Sequence, residues 1–283
     1  MANNLQYAQL FQSALDEVLE QNLTTGWAEA NASRVQYNGG NELKIAKIEL
    51  DDLADYDRAT GYADGSVTLE WETFRFRNDR GRSFKLDDMD VNETNFIASA
   101  STVLGEFVRT KVVPEIDTVR IAELILKAGH EAEVIATKEN SLEEFKKGIT
   151  AVRESGYYGD LVAHVSYEFL NLLELRMANQ LGSVTFNING VDTQFPSVDG
   201  VGLIPTVSNR MGGAHFLIVG RSVPLGIVKH APARVFTPDQ NMHADGYVIN
   251  YRVYHDLFVE DNKVNAIYVG KIGTEEEGDG TGE

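Results

Sequence analysis

The sequence contains no cysteine, and several other common features are scarce or missing. Without thiols the chain can form no disulfide bond, no thiolate metal site and no cysteine nucleophile. No apolar run is long enough to span a bilayer. The N-terminal stretch lacks the basic region and uninterrupted apolar run of a signal peptide. We therefore expect a protein that is made in, and stays in, a cytoplasm.

Basic residues are also few. The sequence has 25 lysines and arginines against 43 aspartates and glutamates, which gives a net charge of −18. Such a surplus of negative charge repels nucleic acid phosphates and anionic membranes. Nucleic acid binding over a broad surface and membrane association are therefore disfavoured. The 283 residues, of which 43% are hydrophobic, suffice for a sizeable core in one large domain or two smaller ones.

The spacing of apolar residues alternates along the chain between the period of a helix and the period of a strand. Residues 4–21 carry apolar side chains at helical spacing, which predicts an N-terminal helix. The polar, glycine-containing stretch 31–41 makes that helix an arm that can dock some distance away. Residues 42–50 and 247–259 read as strands. Because helices and short strands interleave between residues 141 and 235, the chain is predicted to be α/β or α+β.

A long hairpin is predicted between residues 67 and 86. Residues 67–77 read as one strand, Asn78-Asp79-Arg80-Gly81 is a turn signal, and alternation resumes at Phe84 and Leu86. An isolated two-stranded ribbon is marginally stable in water. The hairpin therefore needs another surface to lie on.

The segment after this hairpin changes to a helical period over residues 91–113. Pro114 is predicted to end that helix, since proline removes a backbone donor and crowds the preceding turn. Asp117 is predicted to cap a second helix over residues 118–128.

The charge flips sign inside residues 75–94, where five cations precede four carboxylates. The cations are Arg75, Arg77, Arg80, Arg82 and Lys85, and the carboxylates are Asp87, Asp88, Asp90 and Glu93. The basic half could be a solvated ribbon, or it could grip a nucleic acid strand together with nearby phenylalanines. We favour contact with an acidic surface on another copy of the chain, for which 87–93 and 115–117 are the best candidates.

Catalytic and metal-binding patterns are weak. His255-Asp256 invites a hydrolytic interpretation with Ser166 or Ser222 as nucleophile, but no Gly-x-Ser-x-Gly elbow exists. Strand alternation also places His255 and Asp256 on opposite faces. The histidines lack the spacing of metal ligands, and the glycine pairs fit no phosphate-binding pattern. We predict no catalytic residues, no metal and no cofactor.

Several short motifs, taken in order, resemble one family: the major capsid proteins of tailed bacteriophages. The motifs are Tyr56-Asp57-Arg58 leading to Gly61, Asp79-Arg80-Gly81, Asp87-Asp88-Met89-Asp90 with Glu93, Pro114-Glu115-Ile116-Asp117, and Tyr251-Arg252-Val253-Tyr254-His255-Asp256-Leu257-Phe258-Val259. The resemblance in element order covers nearly the whole chain.

The resemblance implies the α+β tailed-phage capsid fold, divided into five parts. These are an N-terminal arm (1–40), an extended loop hairpin (41–86), a peripheral domain with a spine helix (87–140 and 236–261), an α/β axial domain (141–235 and 262–272) and a disordered acidic tail (273–283).

The resemblance also implies a structural role without enzymatic activity. Family members form pentamers and hexamers that close into an icosahedral shell around the phage genome, which they enclose without sequence-specific binding. The extended loop lies over an adjacent subunit. The protein would then be a virion component assembled in the cytoplasm of a bacterial host, and a separate scaffolding protein and a portal would be its partners.

Two alternatives remain open. The first is an encapsulin, a cellular compartment of the same fold that encloses a cargo enzyme instead of DNA. The second is a cytosolic α/β enzyme that uses His255 or His230.

Overall fold

The computed structural model describes residues 23–34, 42–56, 58, 61–62, 64–87, 104–178, 180–188, 191–236 and 246–273. The chain divides into two units: a smaller one, Ser33–Arg77, and a larger one formed by Met1–Ala32 and Asn78–Glu283. The predicted N-terminal helix, the first part of the helix predicted over 91–113, and the acidic tail beyond residue 273 lie outside the described residues.

Twelve strands and three α-helices make up the described fold. The strands are β1 Glu42–Leu50, β2 Val67–Arg75, β3 Asn78–Asp87, β4 His130–Val134, β5 Leu161–Ser166, β6 Gly182–Ile188, β7 Val191–Val198, β8 Val201–Thr206, β9 Ala214–Gly220, β10 Leu225–Phe236, β11 Gly246–Phe258 and β12 Ile267–Ile272. The helices are α1 Val113–Leu126, α2 Ser141–Glu154 and α3 Tyr167–Arg176.

The smaller unit is an antiparallel hairpin of β1 and β2. Its register runs without interruption from Glu42 opposite Arg75 to Leu50 opposite Val67. Residues 51–66 connect the strands and are called the tip loop below. The loop is closed at its base, where the amide and hydroxyl of Ser66 donate to the Asp51 carboxylate at 2.7 and 2.8 Å. These bonds lower the pKa of Asp51, so the carboxylate is held in its charged form.

The hairpin predicted from residues 67–86 is therefore wrong in its pairing. Strand β3 pairs with β11, from Asn78 opposite His255 to Asp87 opposite Gly246. The Asn78–Gly81 stretch begins a strand instead of forming a turn. Gly81 is accommodated for a reason other than a turn, because a Cβ at this position would lie 3.1 Å from the carbonyl oxygen of Tyr251 in β11. The glycine marks a close approach of two backbones.

The larger unit contains two sheets. A three-stranded sheet has the order β10-β11-β3, and a seven-stranded mixed sheet has the order β4-β12-β9-β5-β8-β7-β6. Helices α2 and α3 contribute Phe145 and Phe169 to the apolar core of the larger sheet, around Phe216 of β9. Strand β4, in the predicted peripheral domain, joins the larger sheet. Strand β10, which falls almost entirely in the predicted axial domain, joins the smaller sheet. The domain limits proposed at residues 140 and 235 stay a prediction.

One continuous helix runs through Pro114, so the prediction that this proline ends a helix is wrong. Residues 104–107 are α-helical, Val108–Val112 form a π-helical turn, and α1 follows directly. The Val113 amide donates to the carbonyl of Val108, five residues back. A π turn widens the ladder just where the proline ring would crowd a carbonyl, which lets the helix continue. We call residues 104–126 the central helix.

Asp117 lies inside this helix and does not cap a second one. Its side chain is fully buried, and five groups donate hydrogen bonds to its carboxylate. The amide and hydroxyl of Thr25 donate to Oδ1 at 3.1 and 2.7 Å, and those of Thr24 donate to Oδ2 at 3.3 and 2.9 Å. Arg210 adds a contact of 3.3 Å from the turn after β8. Asp117 thus fixes the chain just before the 3-10 helix Gly26–Arg34.

Arg120, one helical turn further on, is buried in the same place. It donates to the carbonyl of Thr25 at 3.3 Å and to Glu29 at 2.6 Å. Gly226 makes room for it, because a Cβ there would lie 3.3 Å from the guanidinium carbon. Asp117, Arg120, Thr24, Thr25 and Glu29 are called the Asp117 cluster below.

A buried histidine joins the N-terminal segment to the large sheet. Trp27 donates its indole N–H to Nε2 of His164 at 3.2 Å, and Nδ1 of His164 lies 3.1 Å from the hydroxyl of Thr206. Since Nε2 accepts, His164 is neutral and carries its proton on Nδ1. Burial lowers the pKa of His164 to about 4, although the nearby Asp117 carboxylate opposes the shift.

We expect Asp117→Asn to destabilise the protein by about 3 kcal/mol, the cost of breaking a buried ionic network. The new amide nitrogen would face groups that are already donors. Urea unfolding followed by tryptophan fluorescence measures the change, because Trp27 is buried beside the cluster. Glu106→Gln, which removes an exposed pair with Arg109, is the matched control and should cost less than about 1 kcal/mol. Equal midpoints for the two variants would contradict the role of Asp117.

We expect stability to fall as the pH drops from about 6.5 towards 4. Unfolded His164 takes up a proton near pH 6.5, whereas the folded protein keeps it neutral down to about pH 4. Between pH 7 and 4.5, wild type should lose on the order of 2 kcal/mol more than His164→Gln. The other titrating groups, including His255 with its lowered pKa, are common to both proteins. Parallel pH profiles of the unfolding free energy would refute the assignment.

Candidate functional site

One face of the hairpin carries a strip of exposed apolar side chains. The register places Ile48 opposite Leu69 and Leu50 opposite Val67. Together with Trp71 on the same face, these side chains are 54 to 70% exposed. A two-stranded ribbon has no second layer to cover such a strip. Contiguous exposed apolar surface of this kind marks an interaction site.

The tip loop adds negative charge and aromatic rings to the end of this strip. Residues 51–66 contain five aspartates and one arginine, and Asp52, Asp55 and Asp64 are exposed. Leu53 is fully exposed as well. Tyr56 and Tyr62, with ring centroids 5.0 Å apart, pack edge to face but remain largely exposed. The loop therefore presents carboxylates and apolar groups together.

The five cations predicted as intersubunit contacts are divided between the two units. Arg75 and Arg77 belong to the smaller unit, and Arg75 pairs with Glu42 across the hairpin at 2.8 Å. Arg80, Arg82 and Lys85 lie on β3 in the larger unit. The basic segment is continuous in sequence, but its two halves belong to different sheets.

Beside β3 lies a groove of about 640 Å³, which we call the β3 groove. All its lining residues belong to the larger unit, and they come from β3, β11 and the central helix. Both of its acidic side chains are already paired, Glu115 with Arg80 and Asp79 with Arg252. The bond from Arg252 lowers the pKa of Asp79, so this pair is ionic.

Two further cations of the groove have no such partner. Arg82 and Lys111 are exposed, and neither forms an ion pair with a residue that the structure describes. Nothing in the sequence pattern singled out Lys111, because its place in the groove depends on how the central helix packs beside β3.

Aromatic side chains form an apolar part of the groove. Phe107 packs edge to face against Phe84 and Tyr251, with ring centroids 4.9 and 5.9 Å apart. His255 also lines the groove, although it is only 1% exposed. Neither of its ring nitrogens has a hydrogen-bond partner among the described residues. Burial first, and then the charge of Arg120, lowers the pKa of His255 to about 4.

The predicted acidic receiving surface is largely outside the described residues. Asp87 is described only as the last backbone position of β3, and Asp88, Asp90 and Glu93 are not described. In the second candidate, 115–117, the prediction is wrong for Asp117 and stays a prediction for Glu115. Glu115 pairs with Arg80 of its own chain, and Asp117 is buried in the Asp117 cluster.

The histidines were the candidate residues for catalysis and metal binding in the sequence. The ring of His255 makes no hydrogen bond with Asp256 or with any other described residue. Within the described ranges, no group of three or more histidine and acidic side chains is placed to hold a metal ion. No helix in the described part of the chain combines the length and apolar character needed to cross a membrane.

Comparison with known proteins identifies the fold. No protein-family model matches the sequence, and no curated protein matches it either. Among solved structures, a virus-like particle from Pyrococcus furiosus matches with a TM-score of 0.57 at 13% identity, over 93% of this chain and 98% of that one. The capsid structure of cyanophage P-SCSP1u matches with a TM-score of 0.62 at 8% identity, over 85% and 86%.

A third structure, from Mycobacterium phage Bobi, matches with a TM-score of 0.59 at 11% identity, over 88% of this chain and 91% of that one. At such low identities the likeness concerns the fold alone. The chain therefore has an α+β fold. The particular fold is the one seen in these virus-like-particle and phage structures, which confirms the fold predicted from the motifs.

Proposed function

We propose that this chain is a major capsid protein that assembles into an icosahedral shell around a phage genome. The observation that carries the proposal is the pairing of a capsid fold with a hairpin whose apolar strip is left exposed. Shell subunits of this fold would form pentamers and hexamers, and a scaffolding protein and a portal would assist them. Its place would be the virion, assembled in the host cytoplasm.

The hairpin supports self-assembly over a monomeric role. Its strip is the face that a second copy would cover, since closed assemblies of identical subunits bury such surfaces by symmetry. The net charge of −18 fits a shell that holds DNA without binding it tightly, because like charges keep the lining and the phosphates apart. A structural role of this kind needs no enzymatic activity.

A cellular compartment shell is the second candidate. The virus-like particle from Pyrococcus furiosus is matched over nearly the full length of both chains, so the fold is compatible with a shell other than a virion. The contents of the particle distinguish the two candidates. Packaged protein would indicate a compartment, whereas packaged DNA would indicate a capsid.

The first test is to purify the protein and size it by light scattering and negative-stain microscopy. The proposal expects closed particles of uniform diameter. A small monodisperse species at every concentration would contradict it and favour an enzyme. Analysis of particles made in cells, for nucleic acid and for a second protein, then separates the capsid from the compartment.

We expect the double variant Ile48→Ser/Leu69→Ser to abolish particles while leaving the subunit folded. These side chains pair across the hairpin on the exposed strip, so their loss removes apolar contact with another copy and little of the subunit's own core. Circular dichroism and sizing measure fold and assembly separately. Leu126→Ser/Leu175→Ser, at equally exposed positions in the larger unit, should still form particles.

The basic residues remain proposed contacts with another copy, but fewer of the five are available for such a contact. Arg75 and Arg80 already pair with carboxylates of their own chain, and Arg77 also has an interaction within the structure. Arg82 and Lys85 are exposed and are left to meet a neighbour. Reversing Arg82 and Lys85 to glutamate should block shell formation without unfolding the subunit, and normal particles from that variant would count against the contact.

A further inference from the structure

We propose that Arg120 and His255 form an acid-sensitive seam between the two apolar cores of the larger unit. Uptake of a proton by His255 places a second buried cation beside Arg120, and the seam then opens while each core keeps its packing. The device belongs to the subunit itself, so it acts whether or not the subunit is part of a shell.

His255 lies where the two cores meet on β11. Val253, two residues before it, belongs to the core in which the central helix packs on the three-stranded sheet. Leu257, two residues after it, belongs to the core of the seven-stranded sheet. The three side chains share one face, because alternate residues of a strand point the same way. The ring is buried, yet neither of its nitrogens has a hydrogen-bond partner among the described residues.

The central helix has the same arrangement at Arg120. Ile116, one turn before it, packs in the core on the three-stranded sheet, and Ile121, directly after it, packs in the core of the seven-stranded sheet. The Arg120 guanidinium donates to Thr25 and Glu29, but its Nε has no partner among the described residues. Both elements thus place a buried polar side chain where one core ends and the other begins.

The charges around His255 oppose a proton on its ring. Arg120 of the central helix and Arg80 of β3 disfavour a positive charge there, whereas Glu115 favours one. The carboxylate of Glu115 is already paired with Arg80. The residue opposite His255 on β10 is the apolar Val228. Burial and the two arginines therefore outweigh the carboxylate, and the pKa of His255 is lowered to about 4.

The remaining neighbours do not compensate for this repulsion. Asp256 follows on β11, but alternation directs its side chain to the other face, and its Oδ1 accepts from the amide of Leu257 at 3.0 Å. The residue opposite His255 on β3 is Asn78, which carries no charge. Glu29 of the N-terminal segment is bound to Arg120 at 2.6 Å. A protonated ring would thus remain without an acidic partner among these groups.

Acid therefore acts on the seam in one direction. In the open state the solvated ring takes up a proton near pH 6.5, whereas in the closed state it stays neutral down to about pH 4. The open state gains population as the pH falls from about 6.5 to 4, and the effect is absent at neutral pH. Local opening costs less free energy than global unfolding when few apolar contacts are lost, and the groups that separate here are polar.

Thiol labelling can follow the seam, because the chain has no cysteine of its own. A Cβ at Gly226 would lie 3.2 Å from the Cβ of Ala28 and 3.3 Å from the guanidinium carbon of Arg120, so Ala28→Cys is a buried reporter beside the seam. Ala163→Cys, fully buried on β5, reports global unfolding. Each reporter is made with and without His255→Gln. Labelling by dithiodipyridine, which reacts at acid pH, is measured relative to a free thiol.

The proposal expects labelling of Ala28→Cys to accelerate about fiftyfold more between pH 7 and pH 4.5 in the chain with His255 than in the chain with His255→Gln. Ala163→Cys should stay protected in both chains. His215→Gln, which removes another buried histidine beside Phe169, is the matched control and should leave the acceleration unchanged. Equal acceleration with and without His255→Gln would overturn the proposal, and so would labelling of Ala163→Cys as fast as that of Ala28→Cys.

A measurement on the unaltered chain decides the proposal even where a variant fails to fold. Deuterium exchange at the carbon between the two ring nitrogens, followed by mass spectrometry, gives the pKa of each histidine in subunits and in particles alike. His255 should titrate well below its ordinary value, because its ring is buried beside Arg120. A His255 ring that titrates near pH 6.5 in the folded chain would contradict the seam.

Discussion

The buried carboxylate of Asp117 is the interaction on which the larger unit depends. Five donors from two separate segments converge on it, and Arg120 extends the same contact to Thr25 and Glu29. A buried charge is tolerated only when it is saturated with hydrogen bonds. The cluster therefore holds the N-terminal segment against the central helix in one register, and Trp27 can then reach His164 in the large sheet.

The smaller unit differs from the larger one, because no second layer of the chain covers the exposed apolar strip of its hairpin. A ribbon of two strands offers each residue only one neighbour across the ladder, and burial of its face needs another element. Where the larger unit buries most of its apolar side chains in its own cores, the hairpin leaves Leu69 and Trp71 exposed. This division of one chain into a self-sufficient body and an incomplete hairpin is what a self-assembling subunit requires.

The sequence predicted the elements better than their pairing. Strands β1 and β11 lie where their alternation placed them, because alternation is a local property. The pairing of β3 with β11 joins residues far apart in the chain, and no local turn signal could reveal it. Asp117 beside Pro114 had the pattern of a cap, but its donors, Thr24 and Thr25, lie some ninety residues away. The β3 groove could not be predicted either, since Lys111 and Arg82 line it together only in the folded chain.

Charge explains how such subunits could meet in a single orientation. Copies that each carry a net charge of −18 repel one another at distances up to the screening length of about 8 to 10 Å. Apolar contact alone, which has no direction, would then have to overcome repulsion in every orientation. A groove that retains Arg82 and Lys111 after pairing its own acids lowers the repulsion locally. The same excess of negative charge that opposes indiscriminate association thus favours approach to a local basic site, since carboxylates that face carboxylates repel one another.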